Sequence, residues 1–160
     1  MVRIRKLSKE DLAAIISIQN KTPQAAQWTQ ADYKNLADDP LGLILVAEPD
    51  TMTPPMIVGF IAFRRVIDEA ELRNMAVDPA YQRQGVGREL LAIGCRRLLE
   101  QGVRHIYLEV RASNIPAQWL YYSAGFGLRS RRRDYYNDPR EDALVLSLEP
   151  SPPVKVPATL

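Results

Sequence analysis

The chain has 160 residues, enough for one domain with an interior of its own. Hydrophobic residues make up 46% and charged ones 25%, an ordinary globular composition, and the net charge of +2 argues against general nucleic-acid binding. Cys95 is the only cysteine, so an internal disulfide is excluded. The N-terminus is too polar to open a secretory signal, and no apolar run reaches the roughly 18–20 residues that span a bilayer. These features lead us to expect a cytoplasmic protein without a membrane partner.

Val2 to Arg5 alternates apolar and basic residues, as a half-buried strand does. Ser8 with Asp11 reads as an N-cap leading into Leu12, Ile15, Ile16 and Gln19 at helical spacing, closed by Pro23. Thr29 with Asp32 starts a second, short helix to about Ala37. Strands are expected over Leu43–Ala47, Met56–Arg65 and Glu69–Val77, the first two joined by a hairpin connection around Met52 to Pro55. From Gly85 to Gln101 the residues Val86, Leu90, Leu91, Ile93, Leu98 and Leu99 recur with a period near 3.6, and Gly102 stops the helix. A strand over Arg104–Val110 follows. Asn114 then caps a helix to about Ala124, with Pro116 in its first turn and Gly125 at its end. Phe126–Arg133 and Ala143–Leu148 read as a final antiparallel pair. The order β-α-α-β-β-β-α-β-α-β-β implies an α/β (α+β) domain over residues 1–149, a mixed, mostly antiparallel sheet of about seven strands with helices on its faces. The four prolines of the tail, residues 150–160, predict an extended, disordered end.

The most informative stretch is Val77-Asp-Pro-Ala-Tyr-Gln-Arg-Gln-Gly-Val-Gly-Arg88, which joins an apolar strand to the long helix. A glycine-rich turn of this kind leaves backbone N–H groups unpaired at the positive end of the helix dipole and removes side chains that would keep a phosphate away. A dinucleotide-binding unit is a poor match, because its fingerprint belongs on the first strand and Leu90 stands where the third glycine should. No Gly-Lys-Ser/Thr follows either, which removes the Walker-type loop.

The turn resembles the signature of the GNAT acyltransferase superfamily, Gln/Arg-x-x-Gly-x-Gly/Ala, met here by Gln82-Arg-Gln-Gly85-Val-Gly87. Over residues 70 to 148 the blocks Leu108–Asn114, Leu120–Phe126, Arg132–Tyr136 and Glu141–Ala143 are similar to the bacterial ribosomal-protein-alanine N-acetyltransferases. The N-terminal half is less alike. Trp28 in Gln27-Trp-Thr matches a Trp-Ser/Thr motif, while Pro23-Gln-Ala-Ala-Gln departs from the usual form. The resemblance implies a sheet whose fourth and fifth strands splay apart to take acetyl-coenzyme A. It assigns the pyrophosphate to Gln82, Arg83, Gln84, Gly85, Val86, Gly87 and Arg88. The pantetheine arm falls to Met75, Ala76, Val77 and Asn114, with the thioester carbonyl met by a main-chain N–H, that of Val77.

Acetyl transfer to an amine needs a neutral nucleophile, a stabilised carbonyl oxygen and a proton for the leaving thiolate. An α-amino group with a pKa of about 7.7–8 costs only about 1 kcal/mol to neutralise at pH 7, so a modest base suffices. The resemblance implies Glu109 as that base. By position alone, Glu109 reads first as a solvated strand carboxylate or a partner for Arg111, and the resemblance reverses that order. Tyr121 is the implied acid, although helical phase alone does not distinguish it from Tyr122. Asn114 caps its helix by residue type, whatever else it binds. His105 lies within a strand and reads as structural, and Cys95 on an apolar helix reads as core, so direct transfer is expected rather than an acetyl-cysteine route. No cluster has metal-ligand spacing. Arg129, Arg131, Arg132 and Arg133 read as a solvated strand face or as a site for an acidic partner or coenzyme phosphate.

The resemblance implies an enzyme, monomer or weak dimer, that acetylates the N-terminal peptide of a protein, the N-terminal alanine of a small-subunit ribosomal protein. Trp28 and Tyr135 then contact the acceptor, and no nucleic acid is bound directly. The alternatives are an acetyltransferase for a small amine and a non-catalytic acyl-coenzyme A binding module.

Overall fold

The computed structural model describes residues 1–149; the proline-rich tail expected over 150–160 lies outside them. Seven strands form one sheet: β1 (Val2–Lys6), β2 (Gly42–Pro49), β3 (Gly59–Val66), β4 (Glu69–Val77), β5 (His105–Arg111), β6 (Gly127–Tyr136) and β7 (Glu141–Leu148). Their order in space is β1-β2-β3-β4-β5-β7-β6, and only β4 and β5 run parallel. The helices are α1 (Leu12–Asn20), α2 (Gln30–Asp38), α3 (Val86–Glu100) and α4 (Ile115–Ser123). This is the mixed, mostly antiparallel α/β architecture expected. Two local expectations change. Ser8 does not lead directly into a helix, since a 3-10 turn over Lys9–Asp11 intervenes. The third strand begins at Gly59 rather than Met56, beyond Pro54 and Pro55, which can donate no ladder hydrogen bond.

Both faces of the sheet are covered. On one, Leu45, Ile61, Phe63, Leu72, Ile106, Leu108 and Leu146 pack against Leu90, Leu91 and Leu98 of α3 and Tyr121 of α4. On the other, Ile44, Val46, Phe60, Ala62 and Ala76 pack against Ile15 and Ile18 of α1 and Tyr33 and Leu36 of α2. Thr29 caps α2 by accepting from the Asp32 N–H, as its sequence signature predicts. Among the described residues no helix is long and apolar enough to cross a membrane.

β4 positions the site. Ala62 opposes Asn74 and Phe63 opposes Leu72, so Arg73 has no opposite on β3 and forms a β-bulge. One inserted residue exchanges the faces of everything beyond it. Leu72 therefore belongs to the α3 side of the core, whereas Ala76, also an even position, belongs to the α1–α2 side. The pairing of β4 with β5 covers only Glu69–Glu71 against His105–Tyr107. Just before the bulge the two strands part, and the sheet opens into a fork.

Candidate active site

One wall of the fork is the free edge of β4. The Asp78 N–H donates to the Val58 carbonyl at 2.8 Å, which sets the alternation with β3. Ala76 then faces β3, while Met75 and Val77 direct their backbone groups toward the opening. Two of these groups are held by side chains: Asn74 Oδ1 accepts from the Met75 N–H at 3.0 Å, and Gln82 Nε2 donates to the Val77 carbonyl at 3.0 Å.

The fork leads to the glycine-rich turn. Asp78 Oδ1 accepts from the Ala80 N–H at 3.0 Å, Arg83 takes a φ of 62°, and Gly85 is the N-cap of α3 with a φ of 85°. A side chain at position 85 would meet nothing within 4 Å, so its glycine answers to conformation and not to crowding. A Cβ at Gly87 would lie 3.0 Å from Met75 Cε and 3.4 Å from Leu120 Cδ2, so here glycine lets α3 begin against both β4 and α4. The bond from the Glu89 N–H to the Gly85 carbonyl, 3.0 Å, is the first of the helix. The N–H groups of Val86, Gly87 and Arg88 are thereby left for an anion at the positive end of a 15-residue helix. A cleft of about 370 Å³ adjoins this turn, lined in part by Tyr81, Gln84, Gly85, Val86 and Arg88. A pyrophosphate fits the donors of the turn, and an extended amide-bearing arm fits the free strand edge.

β5 forms the other wall. Ile106, Leu108 and Val110 face the α3–α4 core, which turns Glu109 to the opposite side, its side chain 25% exposed. Arg132 Nε lies 3.4 Å from Glu109 Oε1, and the Arg132 guanidinium stands 5.5 Å over the Tyr135 ring. The partner of Glu109 is thus Arg132 and not the neighbouring Arg111. Arg111 instead lies 3.8 Å from Glu141 and 4.2 Å over the Tyr136 ring. The Glu109 carboxylate, close enough to attract the phenolic proton, raises Tyr135 above the ordinary tyrosine value. Tyr135 and Tyr136 meet edge to face at 5.1 Å. Burial, followed by the charge of Glu109, pushes Tyr136 up to about 12.

α4 leaves the end of β5 through Asn114, whose Oδ1 accepts from the Ala117 N–H at 3.3 Å, the capping role read from residue type. Gln118 Nε2 donates to the carbonyls of Arg111 and Ala112 at 3.2 and 2.9 Å, tying the helix to the strand end. Of the tyrosine pair, Tyr121 faces the sheet at 7% exposure and Tyr122 faces outward at 40%. Burial holds the Tyr121 phenol well above its usual range. The site thus gathers Glu109, Arg132, Tyr135 and Tyr136 on the far side of β5, and Tyr121 stands on the α3–α4 side. Trp28 stands on the α1–α2 loop, 5.0 Å from the Tyr33 ring and under the Arg73 guanidinium. Of the remaining basic run, Arg131 pairs with Asp142 at 2.6 Å on the exposed strand β6. His105 lies at the far end of β5, its Nδ1 3.5 Å from Glu149. Burial pushes the Cys95 thiol up to about 12, leaving it protonated and inert. The sequence reading missed Asn74, buried at 4%, and the role of Arg132; a lone asparagine in an apolar strand was the available signal for the first.

A sheet forked between its fourth and fifth strands, with an anion-binding helix N-terminus at the fork, defines an acyltransferase that takes its acyl group from coenzyme A. The profile of the Acetyltransferase (GNAT) family matches residues 9–126, and the chain belongs to that family, whose acyl donor is acetyl-coenzyme A. It is 38% identical over 151 residues to the [ribosomal protein bS18]-alanine N-acetyltransferase of Escherichia coli (strain K12), covering 92% of this chain and 97% of that protein. The crystal structure of the ribosomal-protein-S18-alanine N-acetyltransferase from Escherichia coli superposes with a TM-score of 0.82 at 36% identity, covering 98% of each chain. Ard1 from Thermoplasma volcanium gives 0.83 at 26% identity, covering 94% of this chain and 99% of that one.

Proposed function

We propose that this chain transfers an acetyl group from acetyl-coenzyme A to the N-terminal alanine of ribosomal protein bS18 in the cytoplasm, by direct attack of the α-amino group. The observation that carries this reading is Glu109, turned to the side of the sheet opposite α3 and α4 and flanked by Arg132 and Tyr135. Identity to the bS18-specific relative across 92% of the chain supports the acceptor. Bound acetyl-coenzyme A supplies an acyl carbon activated as a thioester. Val86, Gly87 and Arg88 hold its pyrophosphate through their N–H groups, together with Gln82, Arg83, Gln84 and Gly85 of the turn. Met75 and Val77 of the free strand edge hold the arm together with Asn114, while Ala76 between them spends its backbone groups on β3.

Glu109 takes the proton of the incoming ammonium. Arg132, 3.4 Å from the carboxylate, is its counter-ion until the amine takes that place. The Val77 N–H stabilises the negative charge that develops on the carbonyl oxygen. Tyr121, kept protonated by its burial, donates a hydrogen bond to the departing sulfur. Trp28 and Tyr135 border the acceptor.

A panel of N-terminal peptides and small amines, incubated with the purified protein and acetyl-coenzyme A, tests the assignment. The alanine peptide of bS18 should be acetylated on its α-nitrogen. Turnover confined to a polyamine, an amino acid or an antibiotic would transfer the activity to the small-amine class.

A further inference from the structure

The buried polar groups under the α1–α2 loop belong to none of the roles above. Asn74 enters this face because the Arg73 bulge exchanges the sides of β4. Its carboxamide is saturated: Oδ1 accepts from the Ala26 N–H at 3.1 Å and from the Met75 N–H at 3.0 Å, and Nδ2 donates to the Ala26 carbonyl at 2.9 Å and to the Tyr33 hydroxyl at 2.7 Å. The Tyr33 hydroxyl donates onward to Gln19 Oε1, and Gln19 Nε2 donates to the Trp28 carbonyl at 2.8 Å. Asn74, Gln19 and Tyr33 are all buried, so the bonds among them are shielded from water, while those to Ala26 and Trp28 carry the network out to the loop. A second tie fixes the start of the loop, where Lys21 Nζ lies 3.1 Å from Asp78 Oδ2 at the head of the glycine-rich turn.

We propose that Asn74 is a positioning residue that holds the acceptor-bordering loop, residues 21–29, in register with the free edge of β4, so that one carboxamide sets the placement of acceptor against donor. The inference rests on the acceptor reading above. One oxygen serves both the loop at Ala26 and the strand edge at Met75. Displacing either contact therefore disturbs the other, and the two substrates are coupled through a side chain that touches neither.

Asn74→Ala, Asn74→Asp and Tyr33→Phe in the full chain test it by amide exchange at Ala26, whose N–H Asn74 accepts, and by steady-state kinetics with the bS18 peptide. Asn74→Ala should speed exchange at Ala26 and raise the peptide KM about tenfold, the cost of one to two buried hydrogen bonds. Tyr33→Phe keeps the ring packing and should move both readouts in the same direction by less, with the acetyl-coenzyme A Kd unchanged. Asn74→Asp keeps an acceptor for both N–H groups and should exchange at a rate between the wild type and Asn74→Ala. Wild-type exchange and wild-type peptide KM in both Asn74→Ala and Tyr33→Phe would overturn the proposal. If Asn74→Ala does not fold, Tyr33→Phe decides alone. If the wild type acetylates no peptide, the acceptor reading falls, and exchange at Ala26 still decides whether the loop is latched.

Discussion

At the scale of single residues, the chemistry turns on two ionisations with opposite requirements. Glu109 must be a carboxylate to accept a proton, and Arg132 lies 3.4 Å from it. Tyr121 must remain a phenol, and burial favours that form. The raised phenols of Tyr121 and Tyr136 lose their protons later than a free tyrosine, so they impose no falling limb below about pH 10. The kcat/KM of the wild type for the peptide should therefore stay nearly level up to about pH 8, because Glu109 takes the proton of the bound ammonium, whereas that of Glu109→Gln should rise through about pH 7–8 with deprotonation of the free α-amine. Glu109→Gln should lose about 10²- to 10⁴-fold at pH 7, and less at pH 9, where the amine has already shed its proton. A pH series of initial rates measures both. A loss independent of pH would place Glu109 outside proton transfer. Helical phase left Tyr121 and Tyr122 equivalent, and only the packing of α4 on the sheet separates them, because its phase depends on where β5 ends. Arg132 was legible only as one of several arginines, since its partner lies 23 positions away on another strand.

At the scale of elements, α3 does two jobs, and each rests on a glycine. Its start opens the anion site, and its middle lies tight against β3 at Gly94. A Cβ there would fall 2.5 Å from Phe63 Cε2, and Phe63 is fully buried with no room to withdraw. Gly94→Ala gains helix propensity but overpacks this contact and should cost about 1–3 kcal/mol, read as a lower urea midpoint with an unchanged slope. The elements themselves were legible. The β4 bounds, the α3 period and the Thr29 and Asn114 caps follow from local rules that packing did not override. The bulge was not. Ala70, Leu72, Asn74 and Ala76 keep an unbroken alternation, so the exchange of faces at Arg73 leaves no mark in the period. It becomes visible only where Ala62 and Phe63 oppose Asn74 and Leu72.

At the scale of the molecule, the N-terminal half is joined by a charge cluster. Arg5 on β1 donates to Asp11 at 2.7 and 2.9 Å and to Glu48 on β2 at 2.7 Å, while the Ser8 N–H and hydroxyl also donate to Asp11. Burial pushes the Asp11 carboxyl upward, but Arg5 and Ser8 outweigh it and hold the group below its usual value. A depressed folded value means that the stabilisation is complete above the unfolded value of about 3.9 and is lost as pH falls through the folded one. Asp11→Asn should cost about 2–3 kcal/mol at pH 7 by leaving Arg5 short of a partner. In urea titrations the gap between the two proteins should narrow below about pH 4.

The fork also divides the protein into unequal cooperative units. Only three residue pairs join β4 to β5, so β5, β7 and β6 are stitched to one another more firmly than to the rest of the sheet. The seam that admits a coenzyme should therefore also be the line along which the native state opens at least cost, and slower amide exchange across the β5–β7 and β6–β7 ladders than across the β4–β5 pairs would show it.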